Sequence, residues 1–135
     1  MPSILVDTGP LVALLDRNDR WHGRVRGYLA RYRGGLVTTW PVLTEAASLC
    51  RVDEQIAIVG MVESGAIEVA PQTAGDAARV KWYLAKYRDR LPDLADLSLL
   101  ALADATGVES ILTIDSDFQI YRLKNGKALV DVLHK

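Results

Sequence analysis

Apolar positions along this chain change period several times, and each change predicts a new element. Ile4, Leu5 and Val6 form a short unbroken apolar run, as expected of a strand buried on both faces. It ends at Asp7-Thr8-Gly9-Pro10. Pro10 suits a first helical turn, and Leu11 to Leu15 continue it. Trp21, Val25, Tyr28, Leu29 and Tyr32 then fall at helical spacing until Gly34-Gly35 breaks the pattern. Leu36 to Thr39 reads as a second strand. Pro41 opens a helix expected to turn Val42, Leu43, Ala46 and Leu49 inward. A helix over Glu54 to Ser64 stops near Gly65, and Ala66 to Ala70 alternates like a third strand. Thr73 with Asp76 resembles a capping box for a helix through Tyr87, with Ala77, Val80, Leu84 and Tyr87 on its inner face. Leu94 to Thr106 is a strongly apolar helix closed by Gly107, and Ser110 to Ile114 is a fourth strand. Asn125-Gly126 between two strand-like runs predicts a terminal hairpin.

Strands alternating with helices imply an α/β sandwich around a mainly parallel sheet. The 135 residues contain no repeat, low-complexity tract or linker, so a single domain over residues 1–135 is the simplest organisation. With 50% hydrophobic and 24% charged residues, the composition is that of a soluble globular chain. The formal net charge of -1 gives no overall attraction to polyanions, so nucleic-acid binding would need local patches or a bound cation. A lone cysteine, Cys50, excludes an internal disulfide framework and a multi-cysteine zinc site, and suits a reducing cytoplasm as a small buried hydrophobe. The opening MPSILVDTGP lacks a basic n-region, so no signal peptide is expected. No apolar run approaches the roughly 20 residues of a membrane span.

The chemistry lies in acids at the predicted strand ends. Asp7 follows the first strand and Asp115 follows the fourth, and ligands of open α/β sheets bind beyond the carboxyl ends of strands. Glu45 lies about one turn into the helix after the second strand, so it can face the same edge. Asp93 and Asp96 flank the start of the apolar helix, and their three-residue spacing gives them nearly one face. Judged singly, each acid has a structural reading. Asp7 or Asp93 would be an N-cap, Asp96 a favourable charge at a helix start, Glu45 a solvated position, and Asp115 to Asp117 a polar loop. As a set, such carboxylates repel unless a cation lies among them or some stay protonated, and oxygen donors suit Mg²⁺ or Mn²⁺.

Four segments carry a family resemblance: VDTGPLVALLD from Val6, TTWPVLTEAASLC from Thr38, DLADLSLLALADATG from Asp93 and LTIDSDF from Leu112. In that order and spacing they resemble PIN-domain nucleases, especially the toxin halves of bacterial VapBC-type toxin–antitoxin pairs, and the likeness runs nearly end to end. It implies a three-layer PIN-like sandwich with helices on both faces of the sheet. It also implies an Mg²⁺- or Mn²⁺-dependent endoribonuclease acting on single-stranded or looped RNA, a homodimer, and a small antitoxin protein that blocks the site. The catalytic acids are then Asp7, Glu45, Asp96 and Asp115, with Asp93 as a fifth, and Asp7, Glu45, Asp96 and Asp115 as metal ligands. Thr8, Thr113 and Asp117 would support them. Within the third segment Asp96 matches the commoner pattern, and Asp93 replaces or assists it; Asp117 could likewise share the role of Asp115.

Arg17, Arg20, Arg24, Arg26, Arg31 and Arg33 cluster around Trp21, Tyr28 and Tyr32, and Lys81, Lys86, Arg88 and Arg90 precede Asp93. Arg17, Arg20, Arg24, Arg88 and Arg90 are candidates for RNA phosphate contact, against the alternative of solvated arginines on amphipathic helices. His22 and His134 are too few and too separated for a histidine mechanism, and no Walker-type loop occurs. Three rival functions remain open: a non-toxin RNA-processing PIN nuclease, a catalytically silent PIN binding module, and a phosphate-accepting receiver-like domain. The last needs a lysine after a late strand, and none is suitably placed.

Overall fold

A computed structural model of the chain describes residues 2–134. Five strands form one parallel sheet: β1 (Ser3–Val6), β2 (Gly35–Thr38), β3 (Glu68–Val69), β4 (Ser110–Leu112) and β5 (Val130–Asp131), in the order β3-β2-β1-β4-β5. The helices are α1 (Thr8–Leu15), α2 (His22–Arg31), α3 (Trp40–Ser48), α4 (Val52–Glu63), α5 (Ala74–Lys86) and α6 (Leu94–Thr106). The sheet order steps away from β1 in both directions, and crossovers of the right-handed kind that parallel strands favour then put helices on both faces, giving the expected α/β sandwich.

Ile4, Leu5 and Val6 are buried together, as their unbroken apolar run required, and Leu97, Leu99, Leu100 and Ala101 of α6 are almost fully enclosed. Helix α6 ends where Gly107 takes the left-handed conformation at φ 78. Glycine is also needed at Gly9, for proximity rather than conformation: a Cβ there would lie 2.5 Å from Cγ1 of Ile114. That close approach seats the first turn of α1 against the segment carrying Asp115.

Three expectations are corrected. Asn125-Gly126 does make a tight turn, with Gly126 at φ 86 and the Leu123 N–H bonded to the Lys127 carbonyl, but no hairpin forms. The residues beyond it instead join the open edge of β4 in parallel, burying Leu129 and Leu133. Leu49 does not turn inward: α3 stops at Ser48, and Leu49 lies 66% exposed. In α5 the buried face runs through Asp76 and Tyr83, with Val80 and Tyr87 half-buried and Ala77 and Leu84 exposed. The large Tyr83 ring takes the inner position because its hydroxyl finds partners there, donating to Asp104 and accepting from the Lys124 N–H. The Thr73 capping box does form, with the Asp76 carboxylate accepting from the Thr73 N–H at 2.8 Å. Cys50 is half-buried against the core.

Candidate active site

Strand β1 has β2 on one side and β4 on the other, so the chain leaves it in one direction and returns in the other. Crevices in α/β sheets open at such a reversal, beyond the carboxyl ends of the strands. Asp7 lies there at the end of β1, its N–H extending the ladder to the Leu112 carbonyl at 3.0 Å. Thr113 and Asp115 follow β4 beside it.

Asp7, Asp96 and Asp115 each offer a carboxylate oxygen, and the three oxygens lie within 4.8 Å of one another. Asp7 occupies the N-cap position of α1, yet its carboxylate makes no capping bond. One oxygen, Oδ2, accepts from the Thr113 hydroxyl at 2.8 Å, while Oδ1 is buried without a hydrogen-bond partner among the described residues. The same Thr113 oxygen accepts from the Asp115 N–H at 2.9 Å, so one hydroxyl ties two of the acids together. Asp115 does hold a turn as its structural reading supposed, through Oδ1 to the Asp117 N–H at 2.9 Å. Asp96 sits in the first turn of α6, 5% exposed, with the Tyr121 hydroxyl 3.4 Å from its Oδ2.

Glu45 and Asp93 form a second tier. Asp93 caps α6, its Oδ1 accepting from the Ala95 N–H at 2.6 Å. Its carboxyl also reaches Glu45, which lies half-buried on α3 outside the tight triad. Thr8 does not cap α1; its buried hydroxyl lies beside Glu45 and lowers the pKa of that carboxyl.

The electrostatics follow from burial and crowding. Asp96 is pushed up to about 8, first by desolvation and then by the charges of Asp7, Asp115, Asp93 and Glu45. Desolvation likewise raises Asp7 to about 6, against the lowering effect of the Thr113 hydrogen bond. Glu45 rises to about 7, chiefly through its hydrogen bond with Asp93 and then through burial. The positive helix N-termini of α1 and α6 favour anions here, but at about 0.3–2 kcal/mol the dipole effect is smaller than these displacements. A site in which burial and crowding raise Asp7, Asp96 and Glu45 is suited to a cation. The donor set is all oxygen, and the buried Asp7 Oδ1 has no partner among the described residues, so the residues fit a hard divalent ion such as Mg²⁺ or Mn²⁺.

The PIN domain family model matches residues 4–124. The chain belongs to the PIN domain family. Its curated relatives include the ribonuclease VapC26 of Mycobacterium tuberculosis, 28% identical over 116 residues that span 83% of this chain and 86% of that protein. Among solved structures the chain is similar to VapC20 of Mycobacterium tuberculosis, a sarcin-ricin loop cleaving toxin. The TM-score is 0.80 at 23% identity, covering 87% of this chain and 93% of that one. A toxin–antitoxin complex from Klebsiella pneumoniae gives a TM-score of 0.64 at 18% identity, over 84% and 87% of the two chains. The two structural likenesses agree with the parallel sheet and layers described above.

The arginines divide by position. Arg17, Arg20 and Arg88 are exposed; Arg24 is exposed yet donates to the Leu133 carbonyl, and the Arg20 and Arg24 guanidiniums each lie 5.4 Å from the Trp21 ring centre. Arg90 alone among these candidates is joined to the acidic rim, with Nη2 3.3 Å from Asp117 Oδ1. Sequence reasoning missed Tyr121, which lies just beyond the fourth motif segment. It also missed Thr39 and Ser98, whose buried hydroxyls meet at 2.6 Å and fasten α3 to α6. Thr39 did carry a signal: like Asp7, it follows a core strand and opens a helix.

Proposed function

We propose that this chain is a metal-dependent endoribonuclease hydrolysing RNA phosphodiester bonds, and that it serves as the toxin of a type II toxin–antitoxin pair. The observation supporting this most directly is the triad of Asp7, Asp96 and Asp115 at the β1–β4 crevice, with Asp7 Oδ1 left unpartnered. PIN-family membership, the VapC26 relative and the toxin structures support the choice of RNA as substrate and of an antitoxin as partner.

Asp7, Asp96 and Asp115 would hold a divalent ion, with Glu45 beside them. When bound, the ion supplies positive charge at the scissile phosphate and acidifies water. Thr113 would hold Asp7 Oδ2 by its hydrogen bond, leaving Oδ1, which has no partner among the described residues, available to the ion. Glu45, beside the triad on α3, would accept a proton from the attacking water. Arg90 offers a cation for RNA phosphate at the rim. The exposed apolar side chains of α3 and α4, Trp40, Val52, Ile56 and Val59, are of the kind that chains with protein partners carry.

The decisive experiment incubates the purified chain with pooled RNA in EDTA, Mg²⁺ and Mn²⁺, beside Asp7→Asn. Cleavage that requires the metal and is lost in a folded Asp7→Asn protein is expected. Full activity of that variant sinks the site, and no cleavage by the parent chain under any metal favours a silent binding module. Harmless expression of an active chain, with no small partner co-purifying, makes it a housekeeping RNA-processing nuclease instead.

A further inference from the structure

Tyr121 is one of the few side chains outside the acid set that touch it, and everything around it fixes its place. Its ring is 2% exposed. It packs edge-on against Tyr87 at 5.0 Å and Phe118 at 5.4 Å between ring centres. The backbone that carries it is clamped separately. The Arg122 guanidinium donates to the carbonyls of Gln119, Ile120 and Tyr121, and the Tyr87 hydroxyl bonds both the N–H and the carbonyl of Arg122. None of these contacts uses Asp96. The phenol oxygen is therefore set in position before it meets the carboxylate.

We propose that Tyr121 is a positioning residue, whose hydroxyl orients the Asp96 carboxylate toward a divalent cation held with Asp7 and Asp115. The inference rests on the metal-dependent reading above. The hydroxyl lies 3.4 Å from Asp96 Oδ2, and no other hydrogen bond to the Asp96 side chain is present among the described residues. The phenol is thus the sole directional restraint on that side chain, apart from the packing around it. With Oδ2 engaged, the remaining oxygen has no hydrogen bond among the described residues and is available to a cation. At 3.4 Å the bond is long and weak in the metal-free chain. Donors to a fully charged carboxylate sit closer, and hydrogen bonds at active sites commonly shorten once the site is filled. Partners of this kind fix the orientation of metal-binding groups, and losing one typically costs 10–100-fold in affinity or activity.

Tyr121→Phe removes the hydroxyl and keeps the ring. Mn²⁺ binding to the intact chain is measured by titration calorimetry, and melting of the metal-free proteins by circular dichroism. The expected result is a roughly tenfold weaker Mn²⁺ affinity for Tyr121→Phe, with metal-free melting within a few degrees of the parent. Cleavage should then approach the parent rate as Mn²⁺ is raised. Parent-like Mn²⁺ affinity in Tyr121→Phe overturns the inference alone, and with a lowered metal-free melting temperature it makes the hydroxyl a packing group. Absence of Mn²⁺ binding in the parent chain overturns the metal reading itself, and this inference with it.

Discussion

Replacing Asp96 with asparagine should stabilise the metal-free protein while abolishing its activity. Asp96 has its pKa displaced from the ordinary 3.8 to about 8 by burial and by four neighbouring acids. An acid whose folded pKa lies above its unfolded one takes up a proton on folding, so its contribution turns unfavourable as pH rises from about 4 to about 8. At pH 7 the displacement is worth at most about 4 kcal/mol, from 3.2 units at 1.36 kcal/mol each. Asp7 and Glu45 titrate in the same range and relax when any member is neutral, and the asparagine amide must itself be buried. A net gain of about 1–2 kcal/mol is therefore expected, or roughly 4–8 °C in melting temperature for a chain this size. Melting is followed by circular dichroism in EDTA from pH 4.5 to pH 8. The gap between Asp96→Asn and the parent should open with pH and nearly close at pH 4.5. Saturating Mn²⁺ should reverse the order, because only the parent gains binding energy. If Asp96→Asn melts at or below the parent at pH 8 in EDTA, or the gap is as wide at pH 4.5, the crowded-carboxylate account is refuted.

Thr113→Val removes the hydroxyl shared by Asp7 and Asp115 and leaves Asp7 Oδ2 buried without a donor. It should cost about 1–3 kcal/mol by urea denaturation and lower cleavage at least tenfold; unchanged cleavage shows that the bridge does not matter. Asp93→Ala loses a helix cap worth about 0.5–2 kcal/mol and the neighbour that holds Glu45 near neutrality. Its stability should fall modestly, and the acid limb of its pH–rate profile should move to lower pH while substantial activity remains. Arg90→Ala breaks an exposed ion pair with Asp117, so melting should shift by less than about 1 kcal/mol. RNA affinity should nevertheless fall, with a shallower salt dependence. A filter-binding titration across salt concentrations, using the inactive Asp7→Asn background, measures this, and an unchanged slope removes Arg90 from the RNA surface.

Hydropathy period located the elements because burial on both faces leaves strands such as Ile4 to Val6 no polar positions, and because α6 is enclosed nearly all round. It also placed Asp7 and Asp115 at strand ends and Asp96 at a helix start, since an acid that interrupts an apolar run stands out in one dimension. Turn and cap chemistry was equally local, so the Thr73 box and the Gly107 stop were readable directly. Which strand lies beside which was not. Asp7 and Thr113 meet across 106 residues only because β4 pairs with β1, a choice made by the packing of whole layers. The same cause explains the missing hairpin: Asn125-Gly126 specified a turn, but the open edge of β4 and the burial of Leu129 and Leu133 decided the partner. In α5 the spacing allowed two faces, and the buried hydrogen bonds of the Tyr83 hydroxyl selected between them. The sequence thus supplied the acids and their order along the chain. Their crowding, the raised pKa values of Asp7, Glu45 and Asp96, and the tyrosine set against Asp96 exist only once desolvation and sheet pairing bring distant segments within a few ångströms.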